Sequence, residues 1–336
     1  MKSLKYIFLS LLAVGLFFAC DKEFSDLEGD EMAKLNAWVQ VKNIPAEALM
    51  PSGMYYISTI EGAGLSPDSG DFIIYSYKEK KLDGIIVDSD SSCIAKLYDF
   101  FDINYHYSPI FTKFDNSNRI VEGYNRYILA GLYEGLGYMK EGGKATLILP
   151  SSLAYGRSGR VINQTAAINP FESIIYEVEL HKVVKDPKDY EKNILQAYID
   201  DKYPGLESIN DSIYYVQLSP PTVDTITVGK DSIVNVMYKG MYLDGFVFDT
   251  NIDTVATKLG RTFSSKTELK FTIGGSQVIK GFSMALPLMK PGEWGRVIIP
   301  SYCAYDSIGN SSIPPYSTLV FDIYFKSKDV VKKPSE

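Results

Sequence analysis

The feature that most constrains the fold is an internal repeat, because one unit is written twice with an offset of about 160 residues. Met54-Tyr55-Tyr56-Ile57 in the first copy matches Ile213-Tyr214-Tyr215-Val216 in the second, and Leu82-Asp83-Gly84 matches Leu243-Asp244-Gly245. The copies also close alike, on IIYEVEL and LVFDIYF. Such self-similarity marks one structural unit used more than once. The sequence therefore predicts two similar domains in tandem.

Length and charge are compatible with two domains and argue against one class of partner. A chain of 336 residues, 46% of them apolar, is long enough for two hydrophobic cores. We predict a first domain at residues 31–185 and a second at 190–328, joined by the charged stretch VKDPKD. The net charge is −7, with acidic and basic residues interspersed. Nucleic acid is not an expected partner, since its affinity for proteins comes largely from Lys and Arg.

The local patterns predict mixed helical and β structure in each unit. Amphipathic segments at residues 31–42 and 189–201 predict a helix at the start of each unit. Runs that alternate apolar and polar residues, such as Ile233 to Tyr238, predict strands. In both units an Asp-Gly pair between such runs predicts a hairpin, because Gly tolerates positive φ. Gly281 to Met289 is the short helical candidate inside the second unit.

The N-terminal residues 1–19 have the pattern of a targeting segment. Two early lysines precede an apolar stretch, Tyr6 to Phe18, that is too short for a good membrane span. The stretch ends in Phe-Phe-Ala-Cys, which is similar to a bacterial lipoprotein signal cleaved before an acylated Cys20. Acyl chains on Cys20 would anchor the protein to a membrane, and residues 20–30 would form a polar tether. The alternative is an ordinary secretory signal followed by a chance cysteine.

This N-terminal pattern predicts a lipid-anchored protein of the bacterial cell envelope. We expect the outer membrane, with the protein on its periplasmic or surface face. Asp21, directly after the modified cysteine, keeps the inner membrane as an alternative, because an aspartate at this place is a retention signal in some bacteria.

The cysteines and histidines indicate no metal site and no cofactor. Cys93 and Cys303 fall in different predicted domains, so we predict two free thiols, with a disulfide as the alternative. His106 and His181 are far apart in sequence, and no Cys or His spacing is typical of zinc.

Three segments between Val236 and Phe325 carry a family resemblance. In order, they read VMYKGMYLDGFVFD, VIKGFSMALPLMKPGE and VIIPSYCAYDSIGNSSIPPYSTLVFDIYF. This series resembles the FKBP-type peptidyl-prolyl isomerases. The resemblance implies an α+β fold with two tandem FKBP-like units, each a curved antiparallel β-sheet wrapped around a short helix.

The resemblance also implies a pocket between sheet and helix. An aromatic box suits a proline ring and favours the twisted amide, which is less polar than the planar form. By resemblance, Tyr305 would donate to a substrate carbonyl, and the backbone amide of Ile279 would bind another. Asp249 would lie near the twisting carbonyl and pair with Tyr238. The substrate-binding positions are Tyr238, Phe248, Phe271, Val278, Ile279, Phe282, Ile313 and Phe321.

Three residues of the second unit depart from the family pattern. Phe282 stands where most active members have Trp, Leu269 replaces a usual aromatic wall residue, and Asp306 replaces a Gly. Phe keeps the apolar surface but is smaller. These departures predict reduced activity, with the catalytic pair Asp249 and Tyr305 retained.

The first unit resembles the family less closely, and we interpret it as degenerate. Val87 replaces a pocket Phe, and a segment of about eight extra residues is expected around Ala130 to Gly135. We hypothesise that this unit binds peptide or protein without much catalysis. Its residues matched to Tyr238, Asp249, Phe282, Tyr305, Ile313 and Phe321 are, in that order, Tyr77, Asp88, Tyr124, Tyr155, Ile168 and Tyr176.

The expected function is cis-trans isomerisation of X-Pro bonds in exported proteins, catalysed by the second domain. The partners would be proline-containing peptide segments, and no cofactor is expected. One alternative is a non-catalytic FKBP-like binding or chaperone lipoprotein, which would bind such segments without accelerating exchange. A cell-surface scaffold, which would do neither, is a third.

Overall fold

The computed structural model describes residues 27–115, 128–162, 165–222, 227–263, 267–310, 312–326 and 331–332. Residues 1–19 and Cys20 lie outside the described residues, as does most of the predicted tether. The chain divides into two compact units, with most of the described residues up to Val183 in the first and those from Val184 onward in the second. Within the described ranges, no helix is both long and apolar enough to cross a membrane.

The first unit opens with helix α1, over residues 27–41, and continues into an antiparallel sheet. Short helices α2 (Ser92–Leu97) and α3 (Ala130–Gly137) precede the fourth and fifth strands. The strands are β1 (Tyr55–Ile60), β2 (Phe72–Lys81), β3 (Ile86–Ser89), β4 (Ile110–Lys113), β5 (Lys144–Leu149), β6 (Arg160–Ile162), β7 (Thr165–Ile168) and β8 (Ile174–Val184).

The second unit follows the same plan from helix α4 (Pro187–Lys202) onward. Its short helices are α5 (Asp253–Leu259) and α6 (Lys280–Ala285), each in the place of its counterpart in the first unit. The strands are β9 (Tyr214–Gln217), β10 (Ser232–Met241), β11 (Val247–Thr250), β12 (Leu269–Thr272), β13 (Trp294–Ile299), β14 (Leu319–Phe325) and β15 (Val331–Lys332).

Strand order is the same in the two sheets. The first sheet runs β1-β5-β8-β2-β3, with β4 also paired to β2. The second runs β9-β13-β14-β10-β11, with β12 and β15 also paired to β10. Each strand of one path therefore has a counterpart at the same place in the other. The predicted α+β fold with two tandem units is confirmed.

The helix that opens each unit lies close to its predicted position, and the start of α4 is stabilised by a cap. Helix α4 begins after Asp186, whose carboxylate accepts hydrogen bonds from the backbone amides of Lys188 (3.0 Å) and Asp189 (3.1 Å). Such a cap stabilises the first turn by satisfying amides that have no partner inside the helix. Pro187 at the first position needs no amide partner.

The two predicted Asp-Gly hairpins are present. Gly84 lies between β2 and β3 with φ of 92°, and Gly245 lies between β10 and β11 with φ of 88°. This conformation is open to glycine because it lacks a Cβ atom. The turns bring β3 and β11 back along β2 and β10, which places the pocket residues of neighbouring strands side by side.

Each sheet packs a helix on either face, as its period-two pattern requires. In the second unit, Val297 and Ile299 of β13 pack in the cluster that holds Phe282 of α6. Ile298, between them, packs instead with Leu195 of α4. In the first unit, likewise, Leu132 of α3 packs on one face of the sheet and Leu35 of α1 packs on the other.

The two cysteines in the described residues are both free. Cys93 is exposed at the start of α2, whereas Cys303 is buried in the core of the second unit. Burial raises the pKa of the Cys303 thiol. Cys303 therefore acts as an apolar packing residue and is not a reactive thiolate.

Candidate functional sites in the two units

Four aromatic side chains of the second unit meet between the sheet and α6. The ring centroids of Phe282 and Phe321 are 5.2 Å apart, with the rings perpendicular. Tyr238 lies edge-on to Phe282 at 5.8 Å, and Phe248 lies edge-on to Phe321 at 5.7 Å. Phe282 and Phe321 are buried while Tyr238 and Phe248 are half-buried, so the group has a closed floor and an accessible rim.

A tyrosine–aspartate pair lies beside these rings. The Tyr238 hydroxyl donates to Oδ2 of Asp249 at 2.6 Å, between neighbouring positions of β10 and β11. Burial raises the pKa of Tyr238, and the bond to Asp249 raises it further. Burial, with the nearby charge of Asp249, also raises the pKa of Tyr305. Both phenols therefore keep their protons near neutral pH and can donate hydrogen bonds.

The remaining predicted residues join the same group. Phe271 and Ile313 are buried beneath the rings, and Val278, Ile279 and Tyr305 pack against the cluster while half-buried. Ile279 is the extended residue directly before α6, with φ of −59° and ψ of 150°. The structure thus brings all ten predicted residues of the second unit together. Their roles toward a substrate stay predictions.

Two of the three departures from the family pattern are accommodated locally. Leu269 packs against the same cluster, while half-buried. Asp306 has φ of 49°, the left-handed region, as Gly156 has at the matching place with φ of 54°. Aspartate adopts this region more readily than most residues. The backbone amide of Asp306 donates to the carbonyl of Ser301 at 2.8 Å, so the substitution leaves the turn closed.

A buried carboxylate fixes the loop that carries Tyr305. Glu191 of α4 accepts a hydrogen bond from the backbone amide of Ser301 at 2.6 Å, and another from the Ser301 hydroxyl. The Thr318 hydroxyl donates to it at 2.7 Å. The loop from Ser301 to Tyr305 is therefore held against a helix that precedes the sheet. The sequence analysis did not single out this residue.

The first unit repeats this arrangement with Glu31. Its carboxylate accepts hydrogen bonds from the backbone amide and hydroxyl of Ser151, at 2.6 and 2.5 Å, and from the Ser173 hydroxyl at 2.6 Å. The repeat contained a signal for these residues, because Glu31 lies four residues before Leu35 and Glu191 lies four residues before the matched Leu195. A buried acid in both copies of a repeat indicates a shared structural role.

We expect Glu191→Ala to lower the free energy of unfolding by about 2 kcal/mol, since it removes a charged acceptor from buried donors. Because the loop of Tyr305 loses its anchor, we also expect KM for a prolyl peptide to rise several-fold, with a smaller change in kcat. Urea unfolding and peptide exchange kinetics measure the two effects. Glu31→Ala is the matched control, expected to lose similar stability and keep its kinetics. Equal kinetic losses in both variants would contradict the prediction.

Most matched positions of the first unit also come together. The Tyr77 hydroxyl donates to Oδ2 of Asp88 at 3.0 Å, as Tyr238 does to Asp249. Ile168 and Tyr176 are buried in the same cluster, and Tyr155 packs against it.

The predicted match of Tyr124 to Phe282 is wrong. Tyr124 itself lies outside the described residues. Helix α3 occupies the same place in the first unit as α6 does in the second. Each helix directly follows an extended residue, and each precedes the strand that pairs with the long closing strand of its unit, β5 with β8 and β13 with β14. A Cβ added to Gly131 would lie 2.6 Å from Leu149, and one added to Gly281 would lie 2.3 Å from Ile299. Leu132, which follows Gly131, is thus the counterpart of Phe282.

The expected insertion is misplaced, because residues 130–135 form α3 itself. The extra residues of the first unit precede this helix, since 16 residues separate β4 from α3 and 7 separate β12 from α6. Gly131 and Gly135 both face β5, where added Cβ atoms would lie 2.6 and 2.4 Å from Leu149 and Leu147. The glycines let the helix approach the sheet closely, which outweighs their low helix propensity.

A polar network fills the first unit at the place of the aromatic group. Oε2 of Glu79 accepts hydrogen bonds from the hydroxyls of Tyr155 (3.2 Å) and Tyr176 (3.0 Å) and from Arg160 (2.5 Å). Arg160 also bonds Oδ2 of Asp88 at 2.5 Å. Glu79 is fully buried, and its Oε1 has no hydrogen-bond partner within the described part of the chain. The sequence analysis missed both Glu79 and Arg160.

Burial dominates the electrostatics of this network. It raises the pKa of Glu79 to about 7, against the opposing effect of Arg160 and with a further increase from Asp88. Burial also raises the pKa of Tyr155 and of Tyr176, and the charge of Glu79 adds to both effects. Both phenols therefore stay protonated, and both can donate to the carboxylate.

Comparison with known proteins agrees with the tandem fold. The family model for FKBP-type peptidyl-prolyl cis-trans isomerases matches residues 64–181 and 224–326. The two segments together exceed half of the chain and fall one in each unit. The chain belongs to this family, and the predicted tandem resemblance is confirmed.

Individual relatives match one unit or both. The chain is 28% identical to human peptidyl-prolyl cis-trans isomerase FKBP9 over 247 residues, which are 71% of this chain and 36% of that protein. It is 34% identical to FK506-binding protein 1 of Kluyveromyces lactis over 118 residues, 35% of this chain and 93% of that one. The crystal structure of the three FKBP domains of wheat FKBP73 shares 19% identity at a TM-score of 0.31, covering 84% of this chain and 97% of that one. The chain spans about a third of the length of FKBP9.

Proposed function

We propose that the second unit catalyses cis-trans isomerisation of X-Pro bonds in exported proteins. The observation that carries this proposal is the aromatic group with a buried floor and a half-buried rim, beside the hydrogen-bonded pair of Tyr238 and Asp249. The family to which the chain belongs supports the same reaction class. The reaction needs no covalent step and no group transfer.

The physical basis is selective binding of the twisted amide. Resonance resists rotation about the prolyl bond with a barrier of about 18–20 kcal/mol. Twisting breaks the resonance and makes the amide less polar, so a pocket of rings in place of water favours the twisted form. Only interactions that are stronger in this transition state accelerate the reaction.

Each polar group has a proposed task at the rim. The Tyr305 hydroxyl, which keeps its proton, donates to a carbonyl of the bound peptide. The backbone amide of Ile279 binds a second carbonyl, so the peptide is held on either side of the proline. Asp249, oriented by Tyr238, lies at the edge of the pocket near the carbonyl that twists.

The proposed substrates and location rest on the N-terminal residues. The charged and apolar residues before Cys20 resemble a lipoprotein signal, and acylation at Cys20 would place both units at an envelope membrane. Exported proteins fold there, and uncatalysed prolyl isomerisation takes tens to hundreds of seconds. Cell fractionation of a strain producing the chain, compared with Cys20→Ala, tests the anchor. An equally membrane-bound variant would contradict it.

The exchange rate of a Leu-Pro tetrapeptide, measured by NMR with the full chain, tests the catalytic proposal. We expect acceleration in proportion to protein concentration. Peptide binding that saturates without acceleration would favour the second candidate, a non-catalytic binding or chaperone lipoprotein. The observation behind that candidate is the floor of the second pocket, where the buried Phe282 keeps an apolar surface but is smaller than the Trp of most active members of the family.

A further inference from the structure

The two units differ at one pocket position on their central strands. Two residues after Tyr77, strand β2 carries Glu79; two residues after Tyr238, strand β10 carries Gly240. The register makes these positions equivalent, because Glu79 pairs with Asp88 and Gly240 pairs with Asp249, each next to an irregularity in pairing.

In the second unit, the missing side chain at Gly240 is what lets the rings close around the pocket. A Cβ atom added there would lie 2.8 Å from Cζ of Phe248 and 2.8 Å from Cε1 of Phe321. Real Cβ atoms do not approach ring carbons this closely. The glycine is therefore needed for packing, although its φ is not in the left-handed region.

In the first unit, three groups around this position have changed in ways that suit a carboxylate, while the tyrosines and the aspartate matched to Tyr238, Tyr305 and Asp249 are retained. Val87 replaces Phe248 and leaves room, while Tyr176 replaces Phe321 and supplies a hydroxyl donor at 3.0 Å. Arg160, five residues after Tyr155, occupies the position of Asn310, which lies five residues after Tyr305. Its guanidinium bridges Glu79 and Asp88.

The hydrogen-bonded network around Glu79 opposes binding of a proline ring in the first unit. A buried charge is tolerated when it is paired and hydrogen-bonded, and Glu79 receives three donors on one oxygen. A proline ring in this place would have to displace the carboxylate and leave Arg160 without that partner. The ring would also meet hydroxyls and charges in place of apolar walls, which removes the preference for the twisted amide.

We infer that this single strand position decides which unit accepts proline, because Gly240 leaves the second pocket open while Glu79, held by Arg160, fills the first from within. The inference rests on the proposed isomerase function of the second unit. It makes the first unit a closed copy of the fold, and it makes Gly240 a specificity-determining residue.

Reciprocal substitutions in the full chain test this inference. We expect Gly240→Glu to lower kcat/KM for a Leu-Pro tetrapeptide at least about 50-fold, and Gly240→Ala to lower it about 10-fold, since its Cβ alone pushes the two rings apart. Gly229→Glu is the matched control, because a Cβ at Gly229 would meet nothing within 4 Å. Circular dichroism and urea unfolding identify variants that fold. A folded Gly240→Glu protein with wild-type kinetics and peptide affinity would overturn the inference.

The first unit is tested by gain of binding. In the Gly240→Glu background, the double change Glu79→Gly and Arg160→Asn is expected to bind the tetrapeptide, with NMR shifts at first-unit tyrosines that the background protein lacks. Binding at those residues with Glu79 intact would overturn the inference, as would no gain in the folded double variant. This readout is independent of rate, so it remains informative if the wild-type chain does not accelerate exchange and the proposed function fails.

Discussion

Replacing Asp249 with alanine is expected to lower kcat/KM for prolyl isomerisation between about 10-fold and 100-fold, while the second unit stays folded. The carboxylate accepts the Tyr238 hydroxyl at 2.6 Å at the rim of the aromatic group. A hydrogen bond to a charged group contributes about 1.5–3 kcal/mol, and each 1.36 kcal/mol of transition-state stabilisation is a factor of ten in rate. Exchange NMR with a Leu-Pro tetrapeptide measures the loss.

One further variant separates charge from geometry at Asp249, and a second tests the proposed role of Tyr305. Asp249→Asn keeps an acceptor for Tyr238 and removes the charge, so we expect an intermediate loss. Tyr305→Phe removes the proposed donor to substrate, and we expect its main effect on KM. Asp88→Ala is the matched control, since Asp88 has the same relation to Tyr77 in the first unit. If Asp249→Ala and Asp88→Ala slow exchange equally, the site is not the one proposed.

Most of the fold could be predicted from sequence because its signals are local or repeated. The Asp-Gly turns at Gly84 and Gly245 require positive φ, which short sequence patterns report well. The repeat then gave a second, independent copy of each strand, so a weak pattern in one unit was supported by the other. That the ten residues of the second unit come together was predictable for another reason, because they occur in the order of a family that the segment resembles.

Helix α3 was missed because packing decides its conformation. Its sequence, AGLYEGLG, contains three glycines, which disfavour a helix by up to about 1 kcal/mol each. The compensation comes from β5, where Leu147 and Leu149 lie so close that larger residues at Gly131 and Gly135 would clash. The sequence of the helix alone does not show that these glycines pack against a strand, because that contact depends on the residues of β5.

The network around Glu79 was missed for a related reason. In the sequence, Val87 is a departure from the pocket and Tyr176 is matched to Phe321, but separately they indicate only a poorer pocket. With Glu79 and Arg160 they form one structure, in which smaller and more polar side chains accommodate a buried ion pair. Such coupled substitutions become visible only once the fold brings the polar side chains into contact. The predictions on residues 1–19 and Cys20 stay predictions.

The buried Glu79 also predicts an unusual pH dependence of stability. Burial raises its pKa from the ordinary 4.5 to about 7, with Arg160 opposing and Asp88 adding to the shift. The folded protein thus binds this proton more tightly than the unfolded chain does. The resulting contribution to stability is fully present below about pH 4.5 and is lost as pH rises to about 7. A difference of 2.5 pKa units corresponds to about 3 kcal/mol.

Glu79→Gln is expected to remove this dependence. The neutral amide has no proton to lose, so the stability of the variant relative to wild type should be about 3 kcal/mol higher at pH 8 than at pH 4.5. Urea unfolding of both full chains at several pH values measures this difference, and other titrating groups cancel in the comparison. Glu177→Gln is the control of opposite sign: although partial burial opposes it, the hydrogen bonds from Lys78 and Lys80 lower the pKa of Glu177. A stability difference that stays constant from pH 4.5 to 8 would contradict this prediction, because it would mean that Glu79 has the same pKa in the folded and unfolded chains and that its pairing with Arg160 fully offsets the effect of burial.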